Sequence, residues 1–216
     1  LRQCLGYAFE HAELLPLFDD RFIGSHILFE EYVHRLAIRV VRDSGIEPAA
    51  REPGTPGEIA ARAGLDAVRA PVPVGWLLAT LVARGQAERD PDGRSFIPAA
   101  LPDPDLQEVA AAQERHDPSA MPSYRMAALA ADFYPSVLRG TRDGETTLFA
   151  PDRIGAWLDY FSNENTIYAI SNRIGSIAAG RQGRRPPSSG GPSGVAERRF
   201  VVVLAVHLGR LAHAGR

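Results

Sequence analysis

The chain has 216 residues, 45% of them hydrophobic, with 24 basic and 26 acidic side chains and a net charge of −2. That allows one large or two small domains around a real core. No apolar run reaches about 18 residues, which excludes a transmembrane helix, and the lone Cys4 excludes an internal disulfide and fits a reducing compartment. No basic-then-apolar leader pattern is present, so a cytoplasmic location is expected.

The first element expected is a long amphipathic helix over Phe22 to Asp43, where Phe22, Ile23, His26, Ile27, Tyr32, Val33, Leu36, Ile38, Val40 and Val41 recur near helical spacing among glutamates and arginines. Asp43-Ser44-Gly45 stops it, and Pro48, Pro53, Gly54, Pro56 and Gly57 mark a loop. In TPGEIAARAGL, Thr55 can cap, Pro56 takes the first helical position, and Glu58 lies three residues beyond Thr55 as a capping box requires. A short helix is expected from Pro56 to Ala63. After a turn broken by Pro71 and Pro73, a second, mostly buried helix carries Trp76, Leu77, Leu78, Leu81 and Val82 to a stop at Gly85.

QAERDPDGRSFIP reads as two short strands around Asp90-Pro91-Asp92-Gly93. Helix, short helix, helix and hairpin in that order predict a winged helix. Helices follow over Asp105 to Arg115 and Pro122 to Arg139, then a loop with Arg142-Asp143-Gly144, then helices over Pro151 to Phe161 and Thr166 to Ala178. Ser162-Asn163-Glu164-Asn165 forms a polar hinge that can cap the last of these.

The expected fold class is therefore mainly α: a winged helix-turn-helix with a small β-hairpin, then a helical segment and a tail. The organisation expected is a winged-helix, dimerisation-like domain over residues 1–100, a helical lid or linker over 101–178, and a tail over 179–216. Composition changes abruptly near Gly180, since 25 of the 26 acidic residues precede it while the remainder holds seven arginines and only Glu197. GRQGRRPPSSGGPSG has little to bury, so disorder is expected there, with a strand-like remnant at residues 200–208.

TPGEIAARAGL, LLATLVARGQAERDPDGRSF and LFAPDRIGAWLDYFSNENTIYAISNRIG, with the winged-helix order, make residues 20 to 178 resemble the N-terminal part of class I S-adenosylmethionine-dependent methyltransferases, the small-molecule O-methyltransferase-like proteins of secondary metabolism. The resemblance implies a homodimer through the N-terminal helices, with Tyr32, Val33 and Leu36 offering a face, and later helices that roof a small-molecule pocket. It also implies a Rossmann-like domain next, opening with a strand, an acidic residue and closely spaced glycines. Here Val201 to Val206 can imitate the strand, but His207-Leu208-Gly209-Arg210 supplies one glycine and no acid, and Gly190, Gly191 and Gly194 precede the run. The expectation is thus a truncated portion, inactive alone, that binds no S-adenosylmethionine although an intact homologue would.

Tyr160, Asn163, Asn165, Tyr168 and Asn172 cluster around the hinge, and the resemblance places this segment near cofactor and substrate. Their amides and hydroxyls can orient a small molecule; the plainer account is helix capping and ordinary surface polarity. No catalytic residue can be named. The six histidines form no metal set: His26 and His34 lie eight apart on one helix, His116 falls in a loop, and His11, His207 and His213 are scattered. Asp19-Asp20 and Glu30-Glu31 read as solvated pairs. A winged helix also serves many DNA-binding regulators, yet Pro71 to Gly85 is almost wholly apolar, with Arg84 alone at its end, and Asp90 and Asp92 flank the wing arginines. Nucleic acid is therefore an unfavoured partner, and a non-catalytic dimerisation module is the third reading.

Overall fold

The computed structural model describes Pro16 and residues 18–182, with side chains described as far as Ser176. The tail, its strand-like run, Cys4 and His11 lie outside the described residues. The described chain is mainly helical with one small antiparallel hairpin.

Helix α1 (Asp20–Asp43) begins where the Asp19 carboxylate accepts the Phe22 N–H at 2.8 Å, so one of the two aspartates read as merely solvated is a cap. Gly45, at φ 75°, turns the chain into α2 (Ile46–Ala49), a one-turn helix in a stretch expected to be loop. Its Pro48 sits at the third position, where the missing N–H would have no intrahelical partner. Helix α3 (Pro56–Arg62) carries the full capping box: Thr55 Oγ1 accepts the Glu58 N–H at 3.3 Å and the Glu58 carboxylate accepts the Thr55 N–H at 2.8 Å. Thr55→Ala is expected to lower stability by about 1 kcal/mol in urea denaturation, with little effect from Thr55→Ser.

Helix α4 (Pro71–Ala83) starts at Pro71 and includes Pro73, both expected in a turn before it. They fit because they occupy the first and third helical positions, whose N–H groups are orphans in any helix. Strands β1 (Glu88–Arg89) and β2 (Ser95–Phe96) pair Glu88 with Phe96 and Arg89 with Ser95. Their turn is set by Asp90, whose carboxylate accepts from Asp92 and Arg94 N–H at 3.0 and 2.8 Å, and by Gly93 at φ 79°. Ser95 also exchanges both backbone bonds with Gly54, which ties the wing to the segment before α3. This helix, short helix, helix and hairpin order is that of a winged helix.

Then come α5 (Leu106–His116), capped by Asp105, a 3-10 turn over Pro118–Ala120, and α6 (Met121–Leu138). Asp143 caps the short α7 (Gly144–Leu148) in what was expected to be loop. A 3-10 turn over Pro151–Arg153 leads into α8 (Ile154–Phe161), and α9 (Thr166–Gln182) follows the hinge.

The described residues divide into two compact units, each assembled from segments apart in sequence. One takes the chain to Val33, Asp105–Leu129 and the stretch from Phe149 onward; the other takes His34–Pro104 and Ala130–Leu148. The second holds the winged helix from His34 in α1 onward, with Ile46, Ile59, Val74, Leu78, Leu81 and Ile97 at 1% exposure or less. In the first, Tyr124 is buried with its ring 5.2 Å from Phe29 and 4.5 Å from Tyr32. No helix among the described residues is long and apolar enough to cross a membrane.

Candidate functional site

The five hinge residues come together, all within the first unit. Tyr160 lies in the last turn of α8, Asn163 and Asn165 in the hinge, and Tyr168 and Asn172 in the first and second turns of α9. The Tyr160 and Tyr168 rings stand 5.0 Å apart, and both touch Phe161, which stacks with Trp157 at 5.3 Å. Burial pushes the Tyr160 hydroxyl up to about 12, and Tyr168 moves the same way for the same reason, so both remain neutral phenols.

The asparagines are engaged by the protein itself. Asn165 is fully buried; its Nδ2 donates to the Tyr160 carbonyl at 2.7 Å and to Ser123 Oγ at 2.9 Å, while its Oδ1 lies 3.1 Å from that hydroxyl. Its own carbonyl accepts the Tyr168 and Ala169 N–H groups, which opens the hydrogen-bond ladder of α9. Asn172 Nδ2 donates to the Phe161 carbonyl at 2.8 Å and to Asn163 Oδ1 at 2.9 Å. Two amides, of Asn165 and Asn172, thus satisfy the Tyr160 and Phe161 carbonyls orphaned at the end of α8, and Asn163 accepts from the second of them. The arrangement fixes the angle of a helix–hinge–helix.

Beside the hinge is a polar centre that the sequence did not suggest. Asp117, fully buried between α5 and the 3-10 turn, accepts from Arg21 Nη2 at 2.5 Å, Ser119 Oγ at 2.6 Å, Thr166 Oγ1 at 2.7 Å and the Ser119 N–H at 3.1 Å. Buried Gln113 donates to the Asp117 carbonyl and to Ser25 Oγ, and its Oε1 accepts from the Tyr124 hydroxyl at 3.1 Å. Burial alone would raise the Asp117 pKa, but the hydrogen bonds from Ser119, Thr166 and Arg21 outweigh it and hold the group at about 2. The one local signal is Asp-Pro-Ser, an N-cap followed by proline at a helix start; the remaining partners lie far away in sequence.

His116, expected in a loop, is the last residue of α5, with Nε2 3.0 Å from the Arg21 carbonyl oxygen. Its ring lies against Gly24, where an added Cβ would stand 2.5 Å from Nε2. Among the described residues no group of three or more His, Cys, Asp or Glu side chains is placed to hold a metal ion. Tyr32 and Leu36, expected on a dimer face, are buried at 7% and 4% exposure, and the exposed apolar positions on α1 are Ile23 and Ile27.

The resemblance leads one to look for a parallel strand that runs through glycines into a helix, where an adenosyl cofactor would sit. The only sheet among the described residues is a two-stranded antiparallel hairpin, which offers no parallel strand leading through glycines into a helix. Of the hinge amides expected to orient such a ligand, those of Asn165 and Asn172 donate to backbone carbonyls. No protein-family model matches the sequence, and no curated protein is found similar to it.

Proposed function

We propose that this chain is the winged-helix and helical-lid portion of an S-adenosylmethionine-dependent methyltransferase of small-molecule metabolism, serving in assembly and enclosure of substrate and carrying no methyl-transfer chemistry of its own. The observation that supports this reading is the succession of a winged helix and a helix–hinge–helix in which Tyr160, Asn163, Asn165, Tyr168 and Asn172 are gathered at one bend. Homodimerisation through the N-terminal helices belongs to the proposal, with Ile23 and Ile27, 46% and 62% exposed, as the apolar positions that a second copy would cover. The location proposed is cytoplasmic.

Exposed apolar side chains also weigh against the DNA-binding reading. Helix α4 and the turn before it present Val68, Val72 and Trp76 at 88%, 61% and 43% exposure, where a reader of the major groove would need amides and cations. Two measurements test the proposal. A calorimetric titration with S-adenosylmethionine should give no saturable heat, and clear binding would overturn the non-catalytic assignment. Light scattering should give twice the chain mass, and a strict monomer at high concentration would count against the assembly role. A salt-dependent mobility shift with duplex DNA would favour the regulator instead.

A further inference from the structure

Helices α8 and α9 are bound to each other differently from the way they are bound to the rest of their unit. Between them the ring contacts are aromatic, Tyr160 and Phe161 both meeting Tyr168 at 5.0 Å, while within α8 Trp157 stacks on Phe161 and also on Phe149, which precedes the helix. Asn172 and Asn163 close the same bend internally. Helix α8 has no buried residue, and Ile154 and Leu158 are 53% and 67% exposed. Of the apolar side chains that α9 contributes, only Ile167 and Ile170 are buried among the described residues.

Besides these two isoleucines, the segment is tied to the rest of its unit by polar contacts. Thr166 Oγ1 donates to Asp117 at 2.7 Å and lies 3.2 Å from Ser119 Oγ, Asn165 pairs with Ser123, and Arg125 faces Asp159 at 3.7 Å with both side chains well exposed. Each such bond is replaced by one to water when the segment lifts, so the neutral Asn165–Ser123 pair contributes little net and the bond to the Asp117 carboxylate more, and an exposed ion pair adds little. A segment that buries only two apolar side chains, Ile167 and Ile170, and is otherwise held by a few hydrogen bonds belongs toward the low-stability end of a protein's local opening events.

We propose that α8, the hinge and α9 form a flap that opens as a body, latched by Thr166 on Asp117 and by Asn165 on Ser123. Opening uncovers Ser123, which is 1% exposed when the latch is closed. The inference stands on these contacts and does not depend on the methyltransferase reading.

The test is thiol labelling of Ser123→Cys in a Cys4→Ser background, where the cysteine replaces Asn165's partner and leaves Thr166 on Asp117 as the latch under test, using the full chain and an aromatic disulfide reagent. Labelling should proceed through an opening much less urea-dependent than global unfolding, because little surface is exposed. Adding Thr166→Val should speed labelling about tenfold, the effect of one lost hydrogen bond, with the urea midpoint of the winged-helix unit unchanged. Thr166→Ser should restore the slow rate. Labelling with the full urea dependence of global unfolding would overturn the flap, as would a Thr166→Ser variant as fast as Thr166→Val. If Thr166→Val does not fold, the urea dependence of the Ser123→Cys protein alone decides.

Discussion

Replacing Asp117 with alanine is expected to destabilise its unit by about 2–4 kcal/mol at neutral pH, read by urea denaturation through Trp157 fluorescence. The loss comes from the partners left behind. In a site where Asp117 itself is fully buried, the Ser119 and Thr166 hydroxyls and the Ser119 N–H would lose their common acceptor. Arg21 contributes less, because its side chain is 57% exposed and water can replace the carboxylate. Asp117→Asn should be milder, since one oxygen remains and the hydroxyls can rotate to accept from the new amide.

The same group makes the difference pH-dependent. Its folded pKa, about 2, lies below the ordinary 3.8, so the folded state favours the ionised form. That contribution is fully present above the unfolded pKa and is lost as pH falls through the folded one. The gap between the natural protein and Asp117→Ala should therefore narrow by roughly 2 kcal/mol between pH 5 and pH 2. A gap constant across that range would mean that the carboxylate is not held by these bonds.

Leu78→Ala should cost about 2–5 kcal/mol in the winged-helix unit. Leu78 is 1% exposed on α4, in a unit where Ile59, Val74 and Leu81 are also fully buried, and α3 and α4 pack closely. Removing three carbons there leaves a cavity that two helices joined by short turns cannot collapse. Val72→Ala, on the exposed side of the same helix, should stay within about 0.5 kcal/mol. The chain's two tryptophans divide the readout, Trp76 in the winged-helix unit and Trp157 in the other. In Trp157→Phe and Trp76→Phe backgrounds, Leu78→Ala should move the Trp76 transition; an equal shift at Trp157 would mean that the two units unfold as one.

What the sequence disclosed follows the range of the interactions involved. The Thr55–Glu58 box spans three residues and could be read in full, and so could the Asp90 turn with Gly93. Prolines 48, 71 and 73 misled because proline signals a break, whereas near a helix start its missing N–H has no consequence. The hinge side chains were legible as a cluster, but whether an amide there meets a ligand or the next carbonyl is decided by the bend angle between α8 and α9. The Asp117 centre was beyond reach, since Arg21 is 96 residues away, Ser25 92 and Thr166 49. Tyr32 and Leu36 illustrate the same point: helical spacing marks an apolar face without saying whether the chain's own core or a second copy covers it.

The division of the chain into interleaved segments bears on how it is made. The winged-helix unit needs Ala130–Leu148 as well as His34–Pro104, and the other needs Asp105–Leu129 and the residues beyond Phe149. During synthesis from the N-terminus, neither unit is whole until Leu148 has been added, although the capping box, the wing and most of the winged-helix core emerge far earlier. The nascent protein must therefore carry a partly built winged helix, its apolar positions short of their last partners, while the whole of α5 and α6 is still being added.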